Sequence, residues 1–83
     1  MTNTTLNTNT NLNLRGLIGN AYYNVKDLED DIILAFETEE EVIVYSVSNN
    51  VIRAYVDVQE AAEYNILVEK EDGFTIVREI EEF

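Results

Sequence analysis

The side chains in this chain that could do chemistry are almost all carboxylates. The 83 residues include 17 acidic and 5 basic side chains, with no histidine and no cysteine, for a net charge of −12. The chain therefore lacks the commonest general base near neutral pH and the commonest thiol nucleophile. Its carboxylates stand in polar turns, where nothing would separate their pKa values into an acid and a base. The sequence predicts a protein that is not an enzyme.

Metal and nucleotide sites are not indicated by the spacing either. The acidic run 27–31 and the turn "EKEDG" at 69–73 both lack the D-x-[DN]-x-[DN]-G pattern and later glutamate of a calcium loop. Three glycines in the whole chain cannot form a glycine-rich phosphate loop. We therefore expect neither a metal nor a cofactor.

Eight of the 17 acidic residues fall into two clusters. The first cluster is Asp27, Glu29, Asp30 and Asp31, and the second, in and around "ETEEE", is Glu37, Glu39, Glu40 and Glu41. The first is expected just past the end of a helix, where the backbone dipole favours cations over carboxylates. The stability of the helix therefore does not explain why acids gather in the first cluster. Binding to a partner of opposite charge would explain it.

This charge pattern predicts a small acidic inhibitor that mimics nucleic acid. Glu69 and Glu71, like Glu79 and Glu81, are two residues apart on expected strands and therefore about 6.6–6.8 Å apart, similar to neighbouring phosphates along a nucleic acid strand. The expected partner is a basic, nucleic-acid-binding protein, contacted by the eight residues of the two clusters. Viral inhibitors of restriction and CRISPR systems use the same physics. Direct binding to nucleic acid or to an anionic membrane is disfavoured by the net charge.

Two other interpretations fit the same composition. Acidic surfaces commonly serve solubility alone, although −12 exceeds the magnitude of about 2–8 that suffices for a small domain. The second is an interaction or assembly module, compatible with a homo-oligomer, which binds through its N-terminal tail or a half-apolar sheet face. The residues of that face are Ile33, Val42, Val44 and Tyr55. The salt dependence of binding distinguishes the two: charge-driven affinity should fall steeply as salt rises, whereas the affinity of the interaction module should change little.

Localisation is predicted from what the sequence lacks. No apolar run approaches the roughly 18 residues of a membrane span, and the N-terminus has no basic-then-apolar signal pattern. We expect a cytoplasmic protein, or one in the host cytoplasm if the protein is viral.

Hydrophobic periodicity predicts one α+β domain at 14–83 behind a flexible Thr/Asn-rich tail at 1–13. Apolar residues from Leu14 to Leu28 recur with helical spacing, which predicts an N-terminal helix over 14–28. Strands are expected at 32–37 and 42–47, joined by the acidic loop. A further strand follows the turn Asn49-Asn50, and a short second helix is expected over 57–64.

Register predicts how the strands pair. A two-residue turn at Asn49-Asn50 would place Val47 opposite Ile52 and Tyr45 opposite Ala54. In the last hairpin, a three-residue loop over 71–73 aligns Val68 with Ile76 better than a two-residue loop would. The predicted order is α-β-β-β-α-β-β, an antiparallel sheet of about five strands with the N-terminal helix packed on it.

Overall fold

A computed structural model describes residues 10–82 as an antiparallel sheet with helices on one face. Helix α1 spans 10–15. It is followed by β1 (Ala21–Tyr22), α2 (Val25–Ala35), β2 (Val42–Ser48), β3 (Val51–Val56), β4 (Glu63–Glu71) and β5 (Phe74–Glu82). The strands lie side by side in the order β1-β5-β4-β3-β2. The predicted α+β class, the five-stranded antiparallel sheet and the number of helices are thus confirmed, whereas the positions of the helices differ from the prediction.

The helix predicted over 14–28 is wrong, because glycines interrupt it. Helix α1 ends at residue 15, and the chain then turns through Gly19, whose φ of +94° is left-handed and favours glycine. Residues Ala21 and Tyr22 pair as a short strand with β5. Helix α1 begins within the stretch predicted to be a tail, since 10–13 are helical. Residues 1–9 of that tail lie outside the described residues.

Helix α2 occupies the stretch where the strand 32–37 was predicted, so that strand is also wrong. Asn24 caps the helix, and its side chain accepts a hydrogen bond of 2.9 Å from the backbone N–H of Lys26. Leu28, Ile32 and Ala35 are buried at helical spacing. The segment "ETEEE" therefore connects a helix to a strand instead of joining two strands.

The second predicted helix, over 57–64, is absent as well. Residues 57–62 form an irregular connection in which Glu60 has a left-handed φ of 62°. Strand β4 begins at Glu63, and its alternate residues Tyr64, Ile66 and Val68 are buried. Burial at a period of two outweighs the helix propensity of "QEAAE".

The β2–β3 hairpin has the predicted turn but a different register. Asn49 and Asn50 form the two-residue turn, since Ser48 pairs with Val51. Val47 then forms a β-bulge, so that Val44 faces Ala54 and Tyr45 faces Arg53. The expected pairing of Tyr45 with Ala54 is wrong by one residue, and the faces of β2 are exchanged.

The last hairpin shows a similar effect. Glu71 pairs with Phe74, so the loop is the two-residue Asp72-Gly73, with positive φ at both positions. The predicted three-residue loop is wrong. Val68 then faces Val77 in regular register, and a bulge at Arg78 places Ile66 opposite Ile80, where a regular hairpin would have placed Glu79.

The core lies between the helices and one face of the sheet, called here the inner face. Buried strand residues such as Ile52, Ile66 and Ile80 are neighbours across β3, β4 and β5. Leu14 of α1 and Leu28 of α2 are fully buried against them. No residue on the opposite, outer face is buried within the described part of the chain.

Candidate functional site

The first acidic cluster lies within α2 and is locally accommodated. Asp27 is in the first turn of the helix, where the backbone dipole favours a carboxylate. Asp30 pairs with Lys26 at 3.8 Å on an exposed surface, and Asp31 accepts a hydrogen bond of 2.7 Å from the Tyr22 hydroxyl. The expectation that this cluster follows a helix C-terminus is wrong, because the helix begins where it was predicted to end.

The second cluster, residues 37–41, is the one that follows a helix C-terminus. We call these residues the acidic loop. Glu37 comes directly after the C-cap Phe36, adopts a left-handed φ of 50°, and donates its backbone N–H to Leu34 O at 3.2 Å. The last turn of α2 contains no basic residue. Each carboxylate close to this helix end is disfavoured by roughly 0.3–1 kcal/mol at low salt.

The acidic loop has a hydrogen-bonded backbone, and within residues 10–82 no salt bridge is found at its carboxylates. Its Glu40 N–H donates to Thr38 Oγ1 at 3.1 Å, and Glu41 O accepts from the N–H of Asp57 at 2.8 Å. The salt bridges of Lys26 and Arg78 lie elsewhere and do not reach the loop. The loop thus carries its charge uncompensated beside the connection 57–62.

A pocket of about 420 Å³ lies between the acidic loop and that connection. We call it the loop pocket. Phe36, Val56 and Ala62 form part of an apolar wall, and Glu40 and Glu60 contribute carboxylates. Its remaining lining residues are Thr10, Thr38, Val58, Gln59, Ala61 and Tyr64. Three separate segments of the chain therefore meet there, and no sequence motif marks them.

Tyr64 is the one lining residue that combines full burial with a polar group lacking a partner. Its side chain is 2% exposed and its ring meets Phe36 edge-on, with the ring centroids 5.7 Å apart. Within residues 10–82 the hydroxyl has no hydrogen-bond partner. Burial, and secondarily the charge of Glu82, raise the pKa of this phenol. One feature of the sequence indicates this burial: Tyr64 is two residues from Ile66 and four from Val68, so the three side chains share one face of a strand.

The predicted apolar interface does not form one surface. Val42 and Val44 are on the inner face and pack partly against the core, so their assignment to an exposed face is wrong. Ile33 is 42% exposed on α2, and Tyr55 lies on the outer face of the sheet. The bulge at Val47 caused this exchange, because it moves Ile43 and Tyr45 outward in their place.

Carboxylates also lie on the outer face, so negative charge is present on both sides of the sheet. Glu79 and Glu81 of β5 are exposed there, opposite Leu67 and Asn65. Arg78 partly neutralises the neighbouring acids, with contacts of 2.7 Å to Glu69 and 3.6 Å to Glu71. What distinguishes the acidic loop from this face is its position at a helix end and beside a pocket.

Two further kinds of site are absent from residues 10–82. No three acidic side chains converge as ligands for a metal ion there. None of the helices in this range is long and apolar enough to cross a membrane.

Comparisons with known proteins give no relative. The chain matches no protein-family model, no curated protein sequence and no solved structure.

Proposed function

We propose that this protein is a non-enzymatic inhibitor that binds a basic, nucleic-acid-binding protein through its acidic loop. The loop would occupy the partner's phosphate-binding surface and exclude nucleic acid from it. The first acidic cluster, which lies on α2 nearer its N-terminus, would extend the contact. The partner supplies the positive charge that the loop lacks in the isolated chain.

The observation that carries this proposal is the position of Glu37 and Glu39. They stand at the C-terminal end of α2 with no basic residue in its last turn and no ion pair among the described residues. Acids at that position lower the stability of the free protein. A cationic partner would offset this loss of stability and so favour the bound state. Solubility alone does not require acids at a helix C-terminus.

Charge reversal in the loop tests the proposal. We expect the variant Glu37→Lys/Glu39→Lys to lose the partner while becoming slightly more stable, because cations are favoured at a helix C-terminus. The immobilised protein is incubated with nuclease-treated lysate at about 50 mM and then at about 500 mM salt, concentrations that bracket strong and weak screening. Captured proteins should be released by high salt and also by added duplex DNA or RNA.

A matched control separates the loop from net charge. Glu79→Lys/Glu81→Lys changes the net charge equally, on β5, three strand spacings or roughly 14 Å across the sheet from β2. This control should keep most of the capture. Equal loss in both variants, or capture that neither salt nor nucleic acid disturbs, would contradict nucleic-acid mimicry.

A second candidate function is an interaction module that uses the outer face. It is favoured by one observation: the outer face has no covering element within residues 10–82, and Tyr45 and Val47 are 42% and 48% exposed. In this case Tyr45→Ala/Tyr55→Ala would abolish capture, and salt would change it little. The loop variant would then bind normally.

A further inference from the structure

The loop pocket combines three features that point to one kind of ligand. Its wall includes Phe36, Val56 and Ala62, which suit an aliphatic chain. Glu40 and Glu60, both exposed, place carboxylates on the pocket. Tyr64 also lines the pocket, and its fully buried hydroxyl has no partner in the described part of the chain. An aliphatic chain that ends in a cation would satisfy all three.

We propose that the loop pocket binds a lysine or arginine side chain, inserted by the basic partner. The aliphatic stem would pack on the apolar wall, and the charged end would donate a hydrogen bond to the Tyr64 hydroxyl and face Glu40 and Glu60. Only the source of the side chain rests on the proposed function; the chemistry of the pocket stands independently of it.

The unpartnered hydroxyl is the observation that singles out this pocket from the rest of the acidic surface. Buried hydroxyls in folded proteins nearly always have a hydrogen-bond partner. Burial and Glu82 both raise the pKa of Tyr64, so the phenol stays neutral at physiological pH. A neutral phenol oxygen accepts a hydrogen bond from an ammonium or guanidinium group. Phosphate or carboxylate ligands are disfavoured, because Glu40 and Glu60 would repel them.

The volume is large enough to admit such a side chain. The pocket of about 420 Å³ is at the lower end of the roughly 300–1,000 Å³ that ligand sites span. A single side chain or a short amine fits such a space, whereas a nucleotide would bring charges that the rim disfavours. The acidic loop, one wall of the pocket, would contact the surrounding surface of the partner.

Nuclear magnetic resonance on the full chain tests the inference with small probes. Nα-acetyl-lysine N-methylamide should shift the backbone amides of Thr38, Gln59 and Ala62, with saturation at millimolar concentration. The norleucine derivative, which keeps the aliphatic stem and lacks the ammonium group, should leave these signals unchanged. Spermidine serves as the probe for a free polyamine. Shifts with spermidine and none with the lysine derivative would overturn the assignment of a protein side chain.

Two variants locate the contact. Tyr64→Phe keeps the ring on Phe36 and removes only the hydroxyl, so we expect at least tenfold weaker binding of the lysine derivative, as for loss of a hydrogen bond to a charged group. Glu40→Gln/Glu60→Gln removes the carboxylates without a change of shape and should weaken binding similarly. Unchanged affinity in both variants would refute the site.

The outcome is separable from that of the proposed function. If the lysine derivative binds and Glu37→Lys/Glu39→Lys leaves lysate capture unchanged, the pocket proposal is supported and the inhibitor proposal is refuted. Salt-sensitive capture without any shift at Thr38, Gln59 or Ala62 would refute the pocket and support the inhibitor.

Discussion

Replacing Tyr64 with phenylalanine should make the isolated protein more stable, although almost all substitutions of buried residues do the opposite. The ring, its edge-on contact with Phe36 and its place on the inner face are retained. Only a hydroxyl that is buried without a partner in the described chain is removed. Burial of an unsatisfied hydroxyl costs about 1–3 kcal/mol. We take the lower limit and expect the free energy of unfolding to rise by about 1 kcal/mol.

Tyr22 provides a matched control with the opposite sign. Its hydroxyl donates to Asp31 at 2.7 Å and accepts from the Asn20 amide at 3.2 Å, in a half-buried position. A hydrogen bond to a charged group contributes about 1.5–3 kcal/mol when buried, and solvent screening reduces this here. We expect Tyr22→Phe to lower the free energy of unfolding by about 1 kcal/mol.

Urea unfolding followed by circular dichroism measures both effects. With a slope of about 1 kcal/mol per molar urea for a small domain, the two midpoints should move by about 1 M in opposite directions. Loss of stability in Tyr64→Phe comparable to that in Tyr22→Phe would refute the reasoning. The hydroxyl would then have a partner in the free protein, and the loop pocket would lose the feature that distinguishes it.

Further predictions concern pH and the backbone. Burial raises the pKa of Tyr22, as do its contacts with Asp31, against an opposing hydrogen bond from Asn20; burial and Glu82 raise that of Tyr64. The folded protein therefore keeps phenolic protons that the unfolded chain loses near pH 10, so this stability is complete below pH 10 and falls as the pH rises above it. Urea midpoints at about pH 9 and about pH 11 should show a shallower fall in the double phenylalanine variant than in the wild type. Asn24→Ala should lower the free energy of unfolding by about 1 kcal/mol through loss of the N-cap, and a midpoint equal to the wild type would contradict the helix start. Gly19→Ala should cost about 1–2 kcal/mol because φ is +94°, and thermal unfolding would show it as a lower transition temperature.

Composition and periodicity were sufficient for the fold class but not for the position of the helices. An apolar stripe from Leu14 to Leu28 satisfies helical spacing, yet Gly19 adopts a left-handed conformation within it. The stripe through Leu28, Ile32 and Ala35 has the same spacing and begins at a capping asparagine. Two overlapping stripes can each bury one face, and packing against the sheet selects between them.

Both hairpin registers were mispredicted for one physical reason. The turns at Asn49-Asn50 and Asp72-Gly73 are ones that the sequence favours, since Asn, Asp and Gly tolerate positive φ. Bulges at Val47 and Arg78 then shift the pairing by one residue. A bulge has weak sequence requirements, so alternation alone cannot reveal it.

The candidate site illustrates the same division. The acidic loop was recognisable from "ETEEE". The assignment of Val42 and Val44 to the exposed face was wrong because the bulge at Val47, which the sequence does not reveal, turns them to the inner face. The loop pocket was out of reach, because Phe36, Glu60 and Tyr64 converge only through the arrangement of strands and connections.

By itself, the sequence determined the acidic character, the α+β class, the turn at Asn49-Asn50 and the lack of histidine and cysteine chemistry. These properties depend on residue identity or on neighbours within a few positions. Tertiary structure decided which apolar stripe became the helix, which face of β2 is buried, and that an unpartnered tyrosine hydroxyl lies beside the acidic loop. Those choices depend on the joint burial of segments far apart in the chain, and no local pattern contains that information.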